Sequence, residues 1–411
     1  MLNERTTYGI GLNKTHNGRR KELSAGFVAL LLFPFCPLYF SGAGFGNSVF
    51  TLLEVMKLIV LVYFLVTLKR YDTKMPGIIL LLYIAYEITY LFPAVFYGTL
   101  GSRSLYLWVK EFYSGVLLIL LLSRFFQLSC VNTLEGIYRL LAFLAIVHVV
   151  LFYATGITLL GIRTRFADST LIAAALLCVI CFVKHRRPQA FDIFFIAACA
   201  VYVVEQWIST ALVLFVLLMA AAFTCRFRVV ESLCNYAAWV FTAVALNFSL
   251  VVLRVQNLFS WLLVDILHED LTMDGRTWIW DAALEDSEGH IAALGAGIAP
   301  DGSKDIHVAL FNEWGHLTMG DRQAHNQLVS VAYFNGLPGL LCYLGLIFAA
   351  GKNLPKIKDY RVAFILVIGM FLLCMGMCTE LIADGYYFLM FLLAIYYAYL
   401  SEDLKKGDGS E

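Results

Sequence analysis

Long apolar runs separated by short polar ones set the plan of this chain. A spanning helix needs roughly 20 predominantly apolar residues. Runs of that kind lie near 24–40, 49–68, 76–97, 112–129, 136–158, 168–183, 190–206, 208–224, 230–252, 326–349, 361–380 and 384–400. They predict an all-α polytopic membrane protein with about 12 transmembrane helices. The apolar stretch from Ala190 to Thr224 is too long for one helix, so it divides at Trp207. One polar interruption is much longer than the rest and runs from Arg254 to Arg322. The organisation expected is a polar N-terminal tail (1–23), helices 1–9 (24–253), a large loop (254–323), helices 10–12 (324–400) and a polar C-terminal tail (401–411).

Composition supports the bilayer reading and adds a direction. Hydrophobic residues make up 61% of the 411-residue chain and charged residues 15%, with a mean hydropathy of +0.77. A soluble domain of this size would need a more charged surface. Lys plus Arg and Asp plus Glu both total 30, so bulk charge gives no argument for nucleic acid in either direction. Position is more informative, because Lys and Arg in short loops stay cytoplasmic. Lys69, Arg70, Lys74, the run Lys184–Arg187, Arg226, Arg228, Lys352, Lys356, Lys358, Arg361, Lys405 and Lys406 fall on one side. That places both termini in the cytoplasm and sends 98–111, 159–167 and the long loop outside. The basic start, MLNERTTYGIGLNKTHNGRRKEL, enters the first apolar run without a cleavage pattern and reads as an uncleaved tail. The ten cysteines lie in or beside apolar segments, and Cys178 and Cys181 read as buried small hydrophobes rather than a redox pair.

Outward cations near helix ends run against the charge rule, and Arg103, Lys110, Arg163, Arg165, Arg254, Arg276 and Arg322 therefore need a reason. Several arginines converging at a membrane surface suit an anion, because guanidinium binds phosphate through a planar fork and stays charged. The plainer alternative is snorkelling, or pairing with carboxylates such as Asp168 and Asp274. Within the loop, 273–289 predicts a helix lying on the membrane surface. Its apolar stripe would be Trp278, Ile279, Ala282 and Ala283, with Trp278 and Trp280 at headgroup level and Arg276 in the first turn. Gly295 and Gly297 fit an ordinary flexible loop better than a close backbone approach. If the next spanning helix has begun by Arg322, a three-residue step puts Arg322 and His325 on one face. His325 is the best-placed general base, with His268, His290, His307 and His316 also available. The loop carboxylates, among them Asp301, Asp305, Glu313 and Asp321, show no metal-binding spacing, and no metal is expected. Inside the apolar runs, Glu54 and Lys57 are spaced for a helical ion pair facing the bundle interior, and Glu87 stands alone in its run.

Four stretches, in order, resemble the O-antigen polymerase and ligase superfamily of bacterial envelope polysaccharide assembly: RTRFADSTLIAAALL from Arg163, WISTALVLF from Trp207, GRTWIWDAAL followed by LGAGIA, and AHNQLVSVAYFNGLPGLL from Ala324. The resemblance implies a GT-C-like membrane glycosyltransferase with its active site on the periplasmic side of the bacterial inner membrane. It implies an undecaprenyl-diphosphate-linked glycan as donor, no nucleotide sugar, no cofactor, no metal and no nucleic-acid partner. By match, Arg163 or Arg165, Arg276 and Arg322 would hold the diphosphate, His325 would act as or assist the general base, and His325 and Arg276 would be the catalytic residues. Asn326 and Trp278 would position substrate. A polymerase would use a second lipid-linked glycan as acceptor and a ligase would use lipid A core. The GRTWIW, AHNQ and NGLPGLL stretches look more like polymerases, for which a chain-length regulator protein is a further expected partner. Two arginines compete for the first position, and DST replaces the small residues usual after it. The rival from another class is a secondary transporter or flippase, which would be expected to show half-repeats and matched Gly or Pro interruptions; neither is visible.

Overall fold

The computed structural model describes residues 23–38, 46–68, 76–160, 164–266, 271, 276–286, 294–300, 306–311, 317–378 and 385–401. Its apolar runs are helices: α1 (Ala25–Leu32), α2 (Gly46–Leu68), α3 (Gly77–Phe96), α4 (Ser102–Leu128), α5 (Cys130–Thr155), α6 (Thr164–Val183), α7 (Ala190–Glu205), α8 (Ser209–Thr224) and α9 (Tyr236–Val251). After the short loop helix α10 (Arg276–Asp286) come α11 (Gln327–Ala350), α12 (Tyr360–Gly376) and α13 (Tyr386–Tyr397). Among the described residues, five helices are long and apolar enough to cross a membrane: Gly77–Phe96, Ser102–Leu128, Cys130–Thr155, Phe166–Val183 and the helix beginning at Gln327.

Packing follows side-chain size. Along α6 every described residue from Phe166 to Leu177 is buried, and its Ala173, Ala174 and Ala175 let neighbours approach closely. Helices α5, α8 and α12 pack around it, and α13 packs against α4 and α6. On the outside, α2 exposes Leu52, Val55, Ile59, Val62 and Val66 at helical spacing, and α7 exposes Ile193, Phe194, Val201 and Val204. In water such stripes would be a liability; on apolar helices they suit a lipid environment.

Trp207 lies between α7 and α8 with a φ of 46°, so the long run does divide there. Three expectations need correction. The segment 98–111 is mostly helix, because α4 starts at Ser102. The chain reaches α11 from an antiparallel hairpin, β1 (Ile306–Phe311) with β2 (Leu317–Arg322), that the pattern did not predict. Because α11 starts at Gln327 with Asn326 as its cap, Arg322 ends a strand and shares no helix face with His325.

Helix α11 is broken in the middle. Gly336 adopts φ 64°, ψ −172°, and Pro338 follows two residues later. Proline lacks an N–H, so the carbonyl four residues before it loses its helical partner. The loop supplies replacements: the Ala296 N–H donates to the Tyr333 carbonyl and the Gly297 N–H to the Phe334 carbonyl, both at 2.8 Å. Ile298 N–H then donates to the Tyr90 carbonyl of α3 at 3.2 Å. A methyl on Gly295 would lie 2.4 Å from the Gly336 nitrogen, and one on Gly336 would lie 2.7 Å from the Gly295 nitrogen. The glycine loop is therefore docked backbone to backbone, which corrects the expectation of an ordinary flexible segment.

Candidate functional site

The site grows from the start of α11. Asn326 is fully buried, and its side-chain oxygen accepts the Val329 N–H at 3.0 Å, an N-cap that satisfies one of the free amides of the first turn. Its amide nitrogen donates to the Cys378 carbonyl at 3.0 Å and lies 3.4 Å from the Asn247 side-chain oxygen of α9. Gln327 N–H donates to the Met377 carbonyl at 2.9 Å. Asn326 is thus consumed by protein partners, and a role for it in positioning substrate can act only through its neighbour.

That neighbour is His325, half-buried, with a φ of 46°. The left-handed region is sparsely populated by residues with a Cβ, and it persists where surrounding bonds enforce it. Here they act from both sides. Asn326 fixes the backbone that follows, and the Trp280 indole N–H donates to the Ala324 carbonyl at 2.7 Å just before.

Trp280 belongs to α10, the predicted loop helix, which is real but oriented differently from the expectation. Its inner face is Thr277, Ile279, Trp280 and Ala283, and Trp280 is fully buried. Only Trp278, 54% exposed, faces outward as the headgroup assignment for both tryptophans required. Arg254, in the left-handed region after α9, donates to the Thr277 carbonyl at 3.0 Å, pairs with Asp281 and stacks 5.6 Å from the Trp280 ring. Its charge is used to hold α10, which is the carboxylate-pairing alternative realised. The result is a closed circuit: the residue Arg254 just after α9 grips α10, Asn247 of α9 meets the cap of α11, and Trp280 joins α10 to the residue before His325.

Arg276 opens α10, half-buried and one helical turn before Trp280, a rise of roughly 6 Å along the axis. The structure therefore brings Arg276 and His325 onto two elements joined by one hydrogen bond. Trp278 sits on the same helix, two residues beyond Arg276. Lys110, another of the cations expected outside, lies 3.3 Å from Glu54, and Arg103 is exposed in the first turn of α4. Arg163 lies outside the described residues, as do His268, His290, His316, Asp274, Asp301, Asp305, Glu313 and the side chains of Arg165, Arg322, Asp321 and His307. Among the described residues, no group of three or more His, Cys, Asp or Glu side chains is placed to hold a metal ion.

Residue-by-residue reading missed Asn247 and undervalued Trp280. Asn247 was detectable only as a lone amide in an apolar run. Gln256 and Gln327 also carry buried side-chain oxygens with no hydrogen-bond partner among the described residues, and both flank this circuit in sequence. No family model, curated protein or solved structure matches the chain.

Proposed function

We propose that this protein is a membrane glycosyltransferase that polymerises undecaprenyl-diphosphate-linked oligosaccharide repeat units on the periplasmic face of a bacterial inner membrane. The observation that carries the reading is His325, held in a left-handed conformation between a buried N-cap and a carbonyl pinned by Trp280, with Arg276 one turn along the pinning helix. An imidazole can take a proton from an attacking hydroxyl, and the Arg276 guanidinium on the pinning helix is suited to a leaving diphosphate.

In this account the acceptor hydroxyl attacks the anomeric carbon of the donor glycan. His325 takes the hydroxyl proton as the new C–O bond forms. The bond from the anomeric carbon to the diphosphate oxygen breaks, and the leaving charge is received by Arg276 together with Arg322 and Arg163 or Arg165. A single displacement inverts the anomeric centre. A lipid diphosphate is already a good leaving group, so charge stabilisation is what the protein must add. About 12 spans with both termini cytoplasmic would put this chemistry outside, and the same scheme with lipid A core as acceptor describes a ligase.

The test is His325→Ala in cells, with membrane levels checked and surface polysaccharide resolved on a gel. The expected result is loss of the polymer ladder with single repeat units still attached to core. Loss of all attached glycan with lipid-linked polymer intact would assign the ligase instead. A full-length ladder would overturn the role of His325.

A further inference from the structure

At the end of the bundle where Lys184–Arg187 emerge, α6 and α8 end and α7 begins, and the three helices leave a groove of about 200 Å³ between them. Cys178, Cys181 and Phe182 of α6, Ile196 of α7 and Met219 of α8 line it, with Pro188 from the connecting loop. No nitrogen or oxygen faces the space. The two cysteines are half-buried rather than buried, and this opening is what they face. A wholly apolar cavity of roughly 150 Å³ stays dry and accepts a molecule the size of benzene. The groove therefore suits a stretch of hydrocarbon. One turn from Ile196 and Met219, Ile193 and Val216 are exposed, so the outer wall beside it is apolar as well.

The cations at this end are not all spent on the protein. Lys184 pairs with Glu135 of α5, and Arg186 lies 2.6 Å from Asp192 of α7. Arg187, adjacent to Pro188, is exposed and makes no ion pair among the described residues. Arg226 follows the cap of α8, seven residues after Met219. Its Nε donates to the Phe223 carbonyl at 3.0 Å and its guanidinium lies 3.4 Å from the Phe223 ring, so it too has no carboxylate partner among the described residues. Exposed Phe227 and Val229 flank the exposed Arg228. Arginines interleaved with exposed apolar side chains suit the headgroup level of a bilayer. Glu231 is exposed in the same turn and pairs with none of these arginines.

We propose that this groove binds one acyl chain of an anionic phospholipid whose phosphate meets Arg187 and Arg226. A guanidinium receives a phosphodiester through its planar fork, and each cation near an anionic lipid surface is worth about fivefold in affinity. A zwitterionic lipid offers the same chain, but its ammonium offsets the phosphate. The site involves neither His325 nor Arg276, so it is independent of the glycosyl-transfer reading.

The experiment uses full-length protein in detergent, titrated with dioleoyl phosphatidylglycerol or dioleoyl phosphatidylcholine, with bound lipid counted by native mass spectrometry. Wild type is expected to bind one phosphatidylglycerol at least about fivefold more tightly than phosphatidylcholine. Arg187→Gln with Arg226→Gln should erase that preference and keep phosphatidylcholine binding. Ile196→Trp fills the groove and should weaken phosphatidylglycerol about tenfold, the equivalent of roughly two buried methylenes. Arg103→Gln, at an exposed cation away from the groove, should change neither lipid. Equal affinities in wild type, a preference that survives the double arginine variant, or wild-type binding by Ile196→Trp would each overturn the site. If Ile196→Trp fails to fold, Cys181→Phe decides by the same measure. Displacement of phosphatidylglycerol by a lower concentration of undecaprenyl phosphate would overturn it in favour of the carrier lipid. A dimer that excludes phosphatidylglycerol and is lost in Ile196→Trp would overturn it in favour of a second copy of the chain.

Discussion

Two polar regions border α3, and they use charge in opposite ways. Where α2 meets α4, the Lys57 ammonium donates to Glu54 at 2.8 Å and to Ser114 at 3.2 Å. Lys110 lies 3.3 Å from the same carboxylate, and the Tyr113 hydroxyl donates to it. Every element there is a regular helix. Where the loop meets α9, α10 and α11, the Arg254–Asp281 ion pair holds a helix in place, while the backbone is broken at Gly336 and left-handed at Arg254 and His325. The first region shows how a bundle keeps charges inside by pairing them. The second carries strain that pairing does not require, and strain enforced by surrounding bonds is the stronger pointer to function. Intramembrane charge alone would have directed attention to Glu54 and Lys57.

The contrast can be broken at several points. Gly295→Ala has the largest expected effect, because it puts a methyl into the Gly336 backbone at a φ of 77°. Undocking of the loop should abolish polymer formation in the surface-polysaccharide assay while helix content, read by circular dichroism, is kept. Normal polymer from that variant would mean that docking is irrelevant. Lys57→Ala acts on the other region: Glu54 is half-buried and keeps Lys110 and the Tyr113 hydroxyl as partners, so the cost should fall below that of stranding a buried charge, at about 1–3 kcal/mol. Thermal unfolding in detergent should fall accordingly, with activity per folded molecule little changed; a selective loss of activity would make the α2 and α4 cluster part of the site. Trp280→Phe is the mildest. It leaves a smaller aromatic ring in place and removes the bond to Ala324, worth about 1 kcal/mol. It should lower turnover about tenfold through looser placement of His325, whereas Trp278→Phe should leave turnover close to wild type if Trp278 adds only surface contact. Equal effects of the two would remove the distinction between inner and outer faces of α10.

Much of the helical plan was legible because a period-free apolar run has one economical conformation in a bilayer, and Trp207 was identifiable as a break on length alone. The site was only partly legible. His325 and Arg276 stood out by residue type and position, but the left-handed backbone of His325 depends on Asn247, Cys378 and Trp280, which are distant in sequence. Two tryptophans spaced by two cannot both face the protein from one helix, and only the Ala324 carbonyl decides which one does. The break at Gly336 and Pro338 falls inside 326–349, which the pattern reads as one span, and its use as a docking point depends on a loop some 40 residues earlier in the chain. Six-residue strands such as Ile306–Phe311 carry too short a pattern to separate them from loop.

The central claim is that His325 moves a proton during glycosyl transfer from a lipid diphosphate. Purified protein in liposomes, supplied with an undecaprenyl-diphosphate-linked oligosaccharide and no nucleotide sugar, should release undecaprenyl diphosphate in step with polymer growth. His325→Ala should slow that release by about 10²–10⁴-fold, the usual contribution of a general base. Release at the wild-type rate from His325→Ala, or none from wild type, would contradict the account.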